Sequence, residues 1–556
     1  MPTDAFEDAL ELSIGLLEAV APASPYPTLR PTGVVEPRSF RAILLENAYL
    51  RVTLLPGLGG RIVSIFDKRT GVEILESGLA TTEGGPRGVR VIAGIQLLLD
   101  GNDRPNDLGP VDFQIEEPPE AIWIAESAGG TGLSFHLQIE LPPERAELRL
   151  EARVLNRTRR PVPYNGGLRL ALGEVVCDGE TAYNAARRVG MRLRSDELEH
   201  TSFHERGLLR SRFSEVGTLG PRGVDVWRAV LTPFSGLGGL PAVAEDAVAF
   251  FDAGRVQVQA VEPLPGARLL LGLENGQTLE APADLYPEHV LEILFDGLAA
   301  RPVALALQDA DRKDRLRSGF VEGGFVTTGA PAPASLPDPN VDALDVVELR
   351  RLTFSPTYRA LAHLELGHRD LAGGGYAEAD ERLETALLYN GDDPLNWWTK
   401  AMARRLAGAE EDGPERANAH WLAPLEPALR AEAFLSQPTG QGREPNPLVA
   451  PLADHPEALI EVACLLLEIG VRAEASRWID EALRHRETAM LRYLAAWSLL
   501  GGSRMEAEAA TFVAAAGRAP FEPPYPWREI ERKALGELSA RFPEDVRLGQ
   551  YAALVR

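Results

Sequence analysis

The sequence predicts an all-β sandwich followed by an α-helical solenoid. Three observations carry this: short β-branched and aliphatic runs punctuated by turns up to about residue 325, a proline-rich break near residue 330, and helical periodicity beyond it. Of the strand runs, Ala42-Ile43-Leu44-Leu45, Leu50–Leu55 and Arg61–Phe66 are separated by Pro56-Gly57 and closed by Lys68-Arg69-Thr70-Gly71. Similar segments at 121–125, 132–140, 147–155, 247–260 and 267–273 alternate with turn residues, which is the spacing of a sandwich rather than of a parallel α/β sheet. Ahead of them, residues 4–20 read as an amphipathic helix. Asp4 and Glu7 stand at capping-box spacing, and Phe6, Leu10, Ile14 and Leu17 fall on one helical face.

The break comes at Pro331, Pro333, Pro337 and Pro339, four prolines in nine residues, which makes an extended linker. The sequence therefore divides into a sandwich over 1–328, a linker over 329–340 and a helical domain over 341–556. In the last, Ala377, Ala379, Leu383 and Ala386 have the small-residue spacing that lets paired helices approach closely. Ala475 and Ala482 repeat it after Gly470, and Ala507 and Ala510 repeat it again. This spacing resembles tetratricopeptide repeats, and three to five helix pairs are expected. Trp397-Trp398 opens one such helix and reads as repeat core.

Composition limits the function classes. At 556 residues with 45% hydrophobic and 25% charged residues the chain is globular and large enough for several cores. A net charge of −24 leaves no concentrated basic face for nucleic acid. Cys177 and Cys464 are the only cysteines and lie in different halves, so neither a disulfide framework nor a cysteine metal site is expected. With Asp4, Glu7 and Asp8 where a secretory signal would carry positive charge, and no apolar run long enough to span a bilayer, the expected setting is cytoplasmic and not membrane-bound. No cofactor and no metal is expected. His200 and His204 are four apart, but no helical pattern surrounds them. His136 alternates with apolar neighbours and reads as a solvent-facing strand residue.

The segment Asn47–Pro56 followed by Gly59-Gly60-Arg61-Ile62 resembles the opening of aldose 1-epimerase-like, or galactose-mutarotase-like, proteins. With Arg104-Pro105, Pro110-Val111-Asp112-Phe113 and Asn156-Arg157-Thr158, the chain resembles an uncharacterised bacterial family that couples such a domain to C-terminal tetratricopeptide repeats. The resemblance implies a galactose-mutarotase-like sandwich and a carbohydrate-binding or carbohydrate-processing function. Mutarotases use a carboxylate base and a histidine acid on the anomeric centre. Glu292 in Tyr286–Glu292 matches the base, whereas the histidine position holds Arg169, whose guanidinium keeps its proton at every working pH. A classical aldose 1-epimerase is therefore disfavoured.

The resemblance leaves Glu292 as candidate catalytic carboxylate and Asp103 as its second. Arg61, Gln96, Asn102, Arg104 and Arg169 are candidate substrate-binding residues. The implied ligand is a sugar or oligosaccharide, including an anionic one, with a protein partner or a second copy of the chain docking on the repeats. Two alternatives stand beside this reading. One is a non-enzymatic scaffold whose sugar domain is degenerate, and the other is a glycoside hydrolase or epimerase using Glu292.

Overall fold

In the computed structural model, residues 3–555 are described apart from 24, 77, 100–103, 105, 117, 119–120, 127–129, 199, 205–206, 296–299, 319–337, 410–412, 438–444 and 501–505. Strands occupy the chain to Ser318, and twelve α-helices follow from Val346 among the described residues. Most of the predicted linker lies outside the described residues.

Two large sheets form the main sandwich. The first contains Thr28–Glu46, Leu50–Leu55, Arg61–Asp67, Ile95–Leu98 and Gly167–Ala171 in adjacent positions. The second runs through Val224–Ser235, Leu148–Asn156, Leu133–Glu140, Ala121–Glu126 and Asp112–Ile115. Alternation along each strand sends one row of side chains inward. Ile43, Leu45, Val52 and Ile62 from the first sheet meet Ile122, Ile124, Phe135, Leu150 and Val154 from the second in one core. A second, smaller sandwich was not expected. The four-stranded sheets containing Ala247–Phe251 with Arg255–Ala260, and Leu264–Leu273 with Pro302–Gln308, pack Val256 and Val258 against Leu269, Leu271, Leu305 and Leu307.

The expected N-terminal helix is instead a strand. Asp4–Ala21 pairs antiparallel with Thr28–Glu46, bringing Leu10 opposite Phe40. The reason lies in Leu10-Glu11-Leu12-Ser13-Ile14, which alternates with period two. Leu10, Leu12 and Ile14 share one face and pack against Phe40, Ala42, Leu55 and Leu58. A helix would have turned Leu12 away from that face.

The helical part is a stack of antiparallel pairs. Pro456–Ile469 is followed by Gly470 in the left-handed conformation (φ +85°) and then by Arg472–His485. A Cβ on Gly470 would lie 2.5 Å from that of Ala372, so glycine both ends the helix and admits its neighbour. Trp398 and Trp478 are fully buried in this core. No described helix is long and apolar enough to cross a membrane.

Candidate functional site

The Gly59-Gly60 turn begins the site. Gly59 has φ +68°, and a Cβ there would lie 2.4 Å from the Asp107 carbonyl oxygen. Its N–H donates to the Gly109 carbonyl at 2.7 Å, which draws the 106–111 loop over the sheet. Arg61, the next polar residue, is thereby buried. Its guanidinium donates to the Val91 and Ala93 carbonyls at 2.7 and 3.2 Å and faces Asp107 at 3.4 Å. Gln96 donates to the same Asp107 oxygen at 3.2 Å. Arg169 is the cross-strand partner of Gln96, and Ile62 pairs with Ile95 on the other side. Arg61, Gln96 and Arg169 thus come from three adjacent strands.

Arg104 turns toward the other sheet. It pairs with Glu126, donates to the Gly59 carbonyl and stacks 4.6 Å over the Phe135 ring. Burial raises the Glu126 carboxyl and Arg104 opposes that rise. Glu126 also lines a cavity of about 40 Å³ between the sandwich and the helices, room for about two or three waters. Ser134 and His136 enter it from the outer face of Leu133–Glu140 and Tyr26 from the hairpin turn. Glu426 and Glu457 enter from the starts of helices Pro427–Leu435 and Pro456–Ile469.

Two motifs that marked the resemblance prove to be the seam between the halves. In Asn156-Arg157-Thr158, the Asn156 amide donates to the carbonyls of Arg160, Leu219 and Gly220 and fixes the turn. Arg157 then reaches Glu426 in a two-pronged ion pair at 2.9 and 2.8 Å. In Pro110-Val111-Asp112-Phe113, Asp112 pairs with Arg430 at 2.6 Å. Arg222 pairs with Asp393 at 3.0 Å and Arg159 with Asp342 at 2.7 Å. The hairpin turn joins in, as the Pro25 carbonyl accepts from the Tyr525 N–H at 2.8 Å.

The seam shifts its ionisable groups in opposite directions. Burial alone would raise Glu426, but the charge of Arg157 and hydrogen bonds bring it down to about 2. Burial raises Glu457 to about 7, with Glu531 and Glu461 adding to the rise and Arg528 opposing it. His136 is pushed down by burial, Glu426 opposing at 3.8 Å, and so favours the neutral ring. Tyr26 is raised by burial and by Glu457 and Glu126.

Of the expected site residues, the structure brings Arg61, Gln96 and Arg169 onto adjacent strands and pairs Arg104 with Glu126, which lines the cavity. Asn102 and Asp103 lie outside the described residues. Glu292 stands in the smaller sandwich, where Gln257 donates to it at 2.9 Å and Arg255 faces it at 3.5 Å, with its side chain 43% exposed. The reading of His136 as solvent-facing is corrected. It does point away from the sandwich core, but the helices cover that face and leave it 2% exposed. His200 and His204 lie on a strand, not a helix. Sequence reasoning missed Glu426 and Glu457. The available signal was a carboxylate beside a helix-starting proline, in Glu426-Pro427 and Pro456-Glu457.

Residues 18–200 match the family described as Domain of unknown function (DUF5107). Among solved structures, the chain is similar to a TPR-domain containing protein from Parabacteroides distasonis, at 14% identity over 96% of each chain with a TM-score of 0.38. It is also similar to a galactose mutarotase-like protein from Clostridium acetobutylicum, at 10% identity over 35% of this chain and 96% of that one, with a TM-score of 0.26. A putative aldose 1-epimerase from Escherichia coli is similar at 9% identity over 35% and 98%, with a TM-score of 0.25.

Proposed function

We propose that the chain binds or processes a carbohydrate at the seam between its two halves, with the helical half completing the site. The observation that supports this best is a convergence of polar atoms on one cavity. Glu126 Oε1, Ser134 Oγ, His136 Nδ1 and Glu457 Oε2 are buried without a hydrogen-bond partner among the described residues, and all four residues line it. Such atoms in folded proteins are satisfied by water or by a ligand. The sugar class comes from the resemblance carried by Asn47–Ile62. Gln96, Arg104 and Arg169, with Asn102, remain the substrate contacts that the resemblance proposes, Arg61 supporting them through Asp107. Of the described ones none lines this cavity, and Arg104 reaches it through its pair with Glu126. The cavity is smaller than a monosaccharide and is not fully enclosed, so it receives one edge of a sugar.

An enzymatic alternative keeps Glu292 and Asp103 as the proposed carboxylates, at a site apart from the seam cavity, which Glu292 does not line. A second reading, a non-enzymatic scaffold, is favoured by the exposure of Glu292 and its pairing with Arg255. In that reading the repeats hold an external partner or a second copy of the chain in addition to their own sandwich. Thermal-shift screening of the full chain against neutral sugars, sugar acids and sugar phosphates tests the carbohydrate reading. A ligand at a hundredfold its Kd adds about 2.7 kcal/mol of stability. No shift with any sugar rejects it.

A further inference from the structure

We infer that the seam cavity selects a small uncharged ligand rich in hydroxyl groups, the edge of a neutral sugar or a small polyol, and excludes sugar acids and sugar phosphates. This rests on the carbohydrate reading above and narrows its ligand class. The argument is one of charge and of hydrogen-bonding capacity.

Arg157 is the one guanidinium among the described lining residues, and both its prongs are held by Glu426. Four carboxylates line the same wall: Asp112, Glu126, Glu426 and Glu457. Each already has a cation, respectively Arg430, Arg104, Arg157 and Arg528. Arg528 in turn is shared with Glu461 and Glu531, so this end of the cavity carries more carboxylate than guanidinium. An entering anion would meet these carboxyl groups at short range in a medium of low dielectric, and the one lining guanidinium N–H without a hydrogen bond, Arg157 Nε, faces Glu461 at 3.6 Å.

The unpartnered atoms select in the same direction. Glu126 Oε1 and Glu457 Oε2 are carboxyl oxygens, and Ser134 Oγ can donate or accept. His136 Nδ1 belongs to a ring that burial holds toward its neutral form. Hydroxyl groups, each one donor with two acceptor lone pairs, can satisfy such a set. Carboxylate or phosphate oxygens, which only accept, leave the carboxyl oxygens unmatched once these groups are ionised, for Glu457 above about pH 7. Ser134 and His136 come from the sandwich and Glu457 from the helices, so one ligand touches both halves.

Calorimetry on the full chain at pH 8, where Glu457 is ionised, tests this with D-glucose, D-galactose and erythritol against D-glucuronate and D-glucose 6-phosphate. The neutral sugars should bind at least about tenfold more tightly than the anions. Ser134→Ala and Glu457→Gln should each weaken neutral-sugar binding by roughly two- to tenfold, the range of one hydrogen bond. Ser134→Ala removes a single oxygen and keeps the test open if Glu457→Gln perturbs the seam. Anions binding as tightly as neutral sugars overturn the inference while leaving the carbohydrate reading intact. Neutral sugars unaffected by either substitution overturn the inference and the seam site together, because they place the ligand elsewhere on the chain. No binding by any compound overturns both.

Discussion

Arg157 of the sandwich and Glu426 of the helical half form a buried two-pronged ion pair, with side-chain exposures of 3% and 1%. Neither partner can be removed singly without leaving a charge in the low-dielectric seam. Arg157→Ala or Glu426→Ala should therefore lower unfolding stability by about 3–5 kcal/mol, measured by urea titration. The joint change Arg157→Met with Glu426→Leu should recover most of that loss, because no unpaired charge remains. Equal losses from the single and joint changes would contradict this account of the seam.

The pH dependence of stability should have two limbs of opposite origin. Glu426 is held below its ordinary value, at about 2, so its contribution is present above pH 4.5 and lost as pH falls toward 2. Glu457 and Glu468 are raised by burial to about 7, so their contribution is fully present below pH 4.5 and lost as pH rises to 7. These carboxyl groups alone would place the optimum near pH 4.5. His136 and His368, held toward their neutral forms by burial, cost stability as pH falls below 6.5 and move the optimum above 4.5, measured as Tm across pH 3–8. Glu457→Gln should flatten the limb between pH 4.5 and 7 and leave the acid limb in place.

Gly59→Ala should destabilise by about 1–3 kcal/mol. The residue has positive φ, and its added Cβ would meet the Asp107 backbone rather than a movable side chain. Gly57→Ala, with open space around it, is the control and should stay within about 0.5 kcal/mol.

These residues show what the sequence could convey. The strand runs, the glycine turn and the small-residue helix spacing are local signals, and the structure carries each as a strand, a turn or a helix pair. The N-terminal segment misled because Phe6, Leu10, Ile14 and Leu17 fit a helical face, while Leu12 fits only the strand. The seam was illegible because it depends on pairs such as Arg157 with Glu426, 269 residues apart. His136 shows the same limit, since alternation gives the face it occupies but not what covers that face.

Polarimetry with α-D-glucose and α-D-galactose should show no mutarotation beyond the spontaneous rate. Where the resemblance to mutarotases calls for the acid, position 169 holds a guanidinium, and the loss of one placed acid typically costs about 10² to 10⁴ in rate. Rapid mutarotation abolished by Glu292→Gln would overturn this and restore the epimerase reading.

The central claim is that one ligand touches both halves of the chain. Hydrogen–deuterium exchange on the full chain, with and without a saturating amount of the neutral sugar that raises Tm most, tests it directly. The account predicts simultaneous protection of Leu133–Leu137 in the sandwich and of His455–Leu459 at the start of the covering helix. Protection confined to one half, or centred on the strand bearing Glu292, would contradict it.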